Sequence, residues 1–347
     1  MARALLVALV LPICAGASEE QSAGAEAGPD PGPGVLRAPV GLTRTQVFEK
    51  GSFEVAYRFG YESFDGNMVG VDRVSPAYVA AAGYSVYPLK QEIEEHRIEL
   101  GWAPIDRLTV MASLPILDKR MENLVVAADQ RYGTHAQGPG DLELALLFDL
   151  MERPSPKGDQ HLHFNVALSC PTGSVSETGT VLTQDGLEEG LLPYRMQLGS
   201  GTFDFIPEIV YLGNHGPTAW GFKSWAVLRI GENTRDYRLG AVYAITGWAS
   251  YDLGRWASGS VRLGWQKWAN VFEAVDQGPP SDTLSPARDP KAQGGSRLDL
   301  GPGLSFRLPL PGVQLLSVEA LWTLHQDLDG PQLAREWGIN AGWQWTF

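Results

Sequence analysis

Trp337, Ile339, Ala341, Trp343, Trp345 and Phe347 take every second position at one end of the chain. Glu336, Gly338, Asn340, Gly342, Gln344 and Thr346 stand between them. A period of two puts one set on each face of a strand. A soluble sandwich strand shares that pattern. Three aromatics in the last five residues fit a membrane strand better, with its apolar face toward lipid and aromatic rings near the interface.

The same alternation recurs upstream. Phe53, Val55, Tyr57, Phe59 and Tyr61 form one apolar face, and Ile98, Leu100 and Trp102 another. Leu108 to Ile116, Leu142 to Leu150 and Leu162 to Leu168 repeat it. Further runs lie at 202–211, 219–230, 237–249, 256–268, 296–308 and 314–325, so the pattern predicts twelve strands of about ten residues, the length a tilted membrane strand needs. Short connections at 103–106, 151–160, 212–218, 250–255 and 309–313 alternate with mostly longer ones at 62–93, 117–139, 171–201, 231–236, 269–295 and 326–334. Outer-membrane barrels alternate short periplasmic turns with long outer loops in this way. The expected fold is therefore all-β: a transmembrane, antiparallel up-and-down barrel over 51–347. It must be closed, because lipid offers no partner to a free strand edge.

The first residues set the expected compartment. Arg3, the apolar run Ala4 to Ile13 and the small residues Ala15 to Ala17 read as a secretory signal over 1–17. Residues 18–50 are rich in Gly, Pro, Ala and Glu and predict a periplasmic leader; the alternative is that their later part enters the barrel as a plug. Cleavage after Ala17 would leave Cys170 as the single cysteine and exclude an internal disulfide. It would also remove Arg3 from the 27 basic residues, leaving a net charge of −14 against 40 acidic ones. That balance excludes a nucleic-acid partner, which needs clustered Lys and Arg. The expected location is the outer membrane of a Gram-negative bacterium. The expected partners are its lipid, the barrel-assembly machinery acting through Phe347, and a small-molecule solute.

Strand parity points a set of charged side chains inward: Glu54, Arg58, Arg97, Glu99, Asp141, Glu143 and Asp149 from the first half. Asp204, Glu208, Arg238, Arg262, Asp299, Glu319 and Glu336 follow from the second. Opposed charges there must pair or stay hydrated. They make either a structural ion-pair network or a mixed-charge polar conduit, and neither selects one ionic sign. His161 and His163 share the inward face, with Asp149 across a turn. Two histidines and a carboxylate can bind zinc or copper, but no further ligand motif accompanies them, so histidines hydrogen-bonded into the wall are expected and no metal. Neither G-x-S-x-G, H-E-x-x-H, a P-loop nor a dinucleotide fingerprint occurs, and no enzyme and no cofactor are expected.

Pro207 and Pro302 fall inside predicted strands, where proline supplies no ladder donor. Each predicts a local kink, read either as a bulge that curves the wall or as a side opening toward lipid. Val74 to Leu89 is too apolar for a freely solvated loop and should fold over the mouth.

Four local motifs carry a resemblance. G-P-G-D-L-E-L-A-L-L-F at 138–148, L-S-C-P-T-G-S at 168–174, L-G-S-G-T-F-D-F at 198–205 and S-L-P-I at 113–116 make residues 53–347 resemble the outer-membrane barrels named for the meta-cleavage pathway of phenol degradation. The resemblance implies a barrel that helps small aromatic or hydrophobic compounds cross the membrane, with no catalytic residues. Taken together, the expectation is a channel or facilitator for passive uptake of a small solute. The alternatives are a barrel enzyme acting on lipid or lipopolysaccharide, and a structural barrel docking a periplasmic partner.

Overall fold

The computed structural model describes residues 38–153, 158–273 and 284–347, so the signal segment and the first part of the leader lie outside the described residues. Eleven strands close a ring. In chain order they are β1 (Phe53–Gly70), β3 (Val86–Ile105), β4 (Leu108–Val125), β6 (Leu142–Arg153), β7 (Gln160–Cys170), β10 (Phe203–His215) and β11 (Thr218–Ile230), then β13 (Val242–Asp252), β14 (Ala257–Trp268), β16 (Gly295–Arg307) and β17 (Val313–Thr346). Every neighbouring pair is antiparallel, including the seam of β17 with β1. A ring in which every pair is antiparallel needs an even number of staves.

β17 resolves the odd count. Residues 315–328 pair with β16 and residues 328–346 pair with β1. The two limbs touch each other through Gln326 with Arg335, Glu319 with Asn340 and Gln314 with Trp343. The run therefore doubles back near Gly330, and the wall has the twelve staves that the sequence predicts.

The lipid face follows the alternation. Ile98, Leu100 and Trp102 are exposed on β3, and Glu99 and Gly101 between them are buried. Apolar residues continue outward for about nine residues, the span of a tilted membrane strand. Above that band the outer surface turns charged, with Lys90–Glu92, Arg120–Glu94 and Asp118–His135 pairs. Phe53 stacks on Trp102 and on Phe347, and Phe347 packs on Trp345 at 4.4 Å between ring centroids. These rings make an aromatic girdle at the short-turn end. Phe53 and Phe347 also exchange backbone bonds of 2.7 and 2.9 Å, which locks the seam.

The long connections are more ordered than loops. β1 and β3 continue past the band and are joined through β2 (Asp72–Val74) and a one-turn helix α1 (Pro76–Ala81), capped by Ser75. The second connection is a hairpin in which β5 (Gln130–Pro139) extends the wall beside β4. The third carries the hairpin β8 (Thr178–Thr183) with β9 (Gly186–Leu191). The fourth and fifth meet in a two-residue pairing of β12 (Tyr237–Arg238) with β15 (Phe272–Glu273). Tyr84 of the first connection donates to the Asp289 carboxylate at 2.6 Å, and partial burial together with that carboxylate raises its phenol above the ordinary value. The apolar first loop thus packs on its neighbours, with Val79 fully buried.

Candidate functional site

The barrel interior is occupied from the periplasmic end by residues 38–50, a stretch whose composition predicts a leader. Arg44 takes a left-handed backbone conformation (φ 54°) and reaches two wall carboxylates, Glu208 at 2.8 Å and Glu143 at 2.5 Å. Three wall side chains donate to the segment's carbonyls: Arg58 to Val40, Lys223 to Thr43 and Asn165 to Arg44. Phe48 donates its amide to Thr109 at 2.8 Å. A non-repetitive chain inside a barrel needs such partners, since its own backbone groups have no ladder. Leu42 packs with Val210 and Trp248, and Val47 against the cluster of Met111, Leu147 and Ile206.

Glycines make the room. A Cβ on Gly41 would lie 2.4 Å from Glu319 and 2.8 Å from Arg262. On the wall, a Cβ on Gly101 would strike Phe48 at 2.9 Å, and one on Gly342 would strike Val40 at 2.8 Å.

The inward charges divide into small paired groups. Glu208 collects Arg44, Lys223 and Asn165 and is fully buried. Glu99 pairs with Arg58 at 2.7 Å, and Arg97 bridges Glu95 and Glu143. Arg262 makes two bonds to Glu319, which also accepts from Asn340. Glu54 is buried and accepts from Gln344 and Thr346. Asp204 is buried at the outer end with Arg229 and Thr202. Asp299 sits with Arg297, Arg335 and Thr323.

Three of the predicted inward charges sit elsewhere. Asp141 stands where the stave breaks between β5 and β6, and it accepts from the Gly173 and Ser200 amides, so it anchors the third connection to the wall. Arg238 lies in the β12–β15 piece, its guanidinium 4.9 Å from the centre of the Phe272 ring, because the stave begins only at Val242. Glu336 is displaced by a bulge. Ser63 faces Trp337 and Phe64 faces Arg335, which leaves Glu336 without a partner in the ladder. One extra residue reverses the faces beyond it. Glu336 turns out to meet the exposed Arg73, and Arg335 turns inward to Glu62 and Asp299.

Four lumen cations escape the sequence reading. Arg44 lies in a stretch with no strand period. Lys223 has inward parity and can be found that way. Arg335 needs the bulge. Arg195 comes from the third connection, which dips into the outer end. There Met196 and Leu198 join Phe64, Met121, Leu192 and Leu333 in a buried cluster, and Arg195 lies 4.5 Å over the Phe64 ring. Lys119 fixes this chain by donating to the carbonyls of Arg195 and Gln197.

The lumen therefore mixes apolar and charged surface. Met111, Ala145, Leu147, Ala167 and Ile206, with Trp225 and Val227, make an apolar patch on β4 to β11. Charged groups flank it on the same staves, at Glu143, Glu208 and Lys223, and others line β1, β14, β16 and β17. Asp149, His161 and His163 bring one ligand atom each within 4.8 Å of one another near the short-turn end.

At Pro207 pairing with β11 lapses for residues 206 and 207 and resumes at Glu208 in the same register. At Pro302 it lapses for residues 301 and 302 toward β17 and resumes at Gly303. The opposite edge stays paired in both strands, so neither proline forms a bulge.

The shape has a counterpart among solved structures. An outer-membrane channel from Pseudomonas putida F1 superposes with a TM-score of 0.60 at 12% identity, over 87% of this chain and 98% of that one. This protein has the fold of an outer-membrane β-barrel. The translocator domain of the autotransporter NalP from Neisseria meningitidis aligns less well, with a TM-score of 0.43 at 10% identity over 85% of this chain and 88% of that one. No protein-family model and no curated protein matches the chain. The barrel fold and the apolar belt place it in a Gram-negative outer membrane, spanning with strands.

Proposed function

We propose that this barrel is an outer-membrane channel for passive uptake of a small solute with an apolar or aromatic body, held shut at its periplasmic end by residues 38–50. The observation that carries the reading is a lumen in which an apolar patch adjoins neutralised charge pairs, with the chain's own segment packed against both. A flat apolar solute can slide along the patch while its polar atoms meet the flanking charge pairs. Paired guanidinium and carboxylate groups impose no strong sign on it. The resemblance to barrels of the phenol-degradation meta pathway agrees with an aromatic solute.

Purified full-length protein in planar bilayers tests this. The intact chain should show low, intermittent conductance, and a chain lacking residues 38–50 should conduct steadily and be blocked by a small aromatic. A deletion variant that folds and remains silent, with no aromatic flux into liposomes, would refute the channel.

A further inference from the structure

We propose that Asp149, His161 and His163 form a binding site for a divalent transition-metal ion of the zinc class at the periplasmic mouth of the barrel. His161 and His163 are two apart on β7 and face the same way, and Asp149 stands opposite His163 on β6. The ladder between β6 and β7 shifts register between Asp149 and Met151, beside the cluster. Such bulges re-aim side chains. The His161 Nδ1 is 3.9 Å from Asp149 Oδ2, and the two rings have centroids 5.9 Å apart.

A tetrahedral ion with ligands at about 2.1 Å separates its ligand atoms by roughly 3.4 Å. The three ligand atoms lie within 4.8 Å of one another, so binding would draw them together by up to about 1.4 Å.

The hydrogen bonding supplies the second observation. His163 is 3% exposed, yet its Nδ1 has no hydrogen-bond partner, and neither has the buried Oδ1 of Asp149. Buried polar atoms are rarely left so. Two such atoms in one three-residue cluster are lone pairs available to a cation. The backbone of Thr45, in the inserted segment, faces the His163 ring. A ligating histidine commonly gives its other ring nitrogen to a backbone carbonyl, which orients the ring toward the metal. The Arg107 guanidinium is 4.0 Å from Asp149, but its side chain is 56% exposed and free to turn into water when a cation arrives.

Two imidazoles and one carboxylate suit zinc, cobalt or copper, and lack the oxygen-rich shell that calcium or magnesium needs. His161, about one-third exposed, leaves the fourth position toward the mouth. A bound ion would therefore stiffen the wall behind Thr45 while keeping one site open to water or a passing ligand.

Cobalt(II) titration of the chelator-stripped, full-length barrel in detergent is the test. One cobalt per chain with the intense visible bands of a four-coordinate site is expected. His161→Ala and Asp149→Asn should each abolish those bands, and His135→Ala, at the exposed outer hairpin, should leave them unchanged. Heat-modifiable mobility on gels certifies that each variant is a folded barrel, and His161 is exposed enough to be replaced without a buried hole. Absence of the bands in the intact protein overturns the site. Bands that persist in folded His161→Ala or Asp149→Asn overturn it equally, since cobalt would then be held by surface groups.

Discussion

Residues 38–50 meet the periplasmic half of the wall through guanidinium–carboxylate pairs, bonds to backbone carbonyls and the buried side chains of Val40, Leu42 and Phe48. Residues 192–198 hold the outer half through Leu192, Met196 and Leu198, buried among Phe64, Met121 and Leu333, and through Lys119 bonds to two carbonyls. Both closures bury apolar side chains; what sets the lower one apart is Arg44, which bridges two wall carboxylates. A hydrogen bond exchanged for water costs little net free energy. An apolar contact withdrawn into water costs about 25 cal/mol for each Å² exposed. Under the proposed function the lower closure is the movable element, and the outer one stays with the core. Each wall charge left behind by the segment has a neighbour, or meets entering water.

The comparison breaks most visibly by deletion. Removing residues 38–50 should convert intermittent conductance into a steady open level in planar bilayers without loss of barrel. Arg44→Ala should have the next largest effect. It leaves Glu208 to Lys223 and Glu143 to Arg97, and each lost bond to a charged group costs about 1.5–3 kcal/mol. Longer open times and a lower unfolding temperature are expected; unchanged gating would mean that Arg44 does not hold the segment. Met196→Ala in the outer closure should cost about 2–5 kcal/mol of stability, as for other large-to-small core changes, with little change in conductance. A conductance rise as large as that of Arg44→Ala would erase the distinction. Gly41→Ala is the mildest. Its methyl would press on Glu319 and Arg262 side chains, and overpacking of this kind costs about 1–3 kcal/mol. A modest rise in open probability, read in single-channel records, is expected.

Much of the wall is legible in the sequence because lipid enforces strict alternation. Ile98, Leu100 and Trp102 take their face from parity alone, and Glu99 and Glu143 take theirs. Parity fails wherever one residue is added. The bulge at Glu336 exchanges it with Arg335, a change no local pattern announces. Arg238 is misplaced when its stave is extended across Leu239 and Gly240 into the outer piece. The segment around Arg44 is legible only as one of two alternatives, leader or plug, for a different reason. A chain satisfied by a surrounding wall needs no period of its own, so its composition resembles that of a solvated leader. Pro207 and Pro302 do break the ladder as their chemistry predicts, but the lapse at each is confined to one edge.

The two-way bond between Phe53 and Phe347 joins the first residue of β1 to the residue that follows β17. Glu54 and Thr346, also paired across this seam, are 292 positions apart. Contacts so distant in sequence form late, since the chain must give up much of its freedom before they repay it. Until then both edges remain open templates for wrong pairing. The inserted segment reaches both sides of this same seam, through Arg58 on β1 and Gly342 on β17. Its full set of contacts exists only once the ring has shut. Folding therefore ends in one coupled event, in which the last stave meets the first and the segment between them finds its seat.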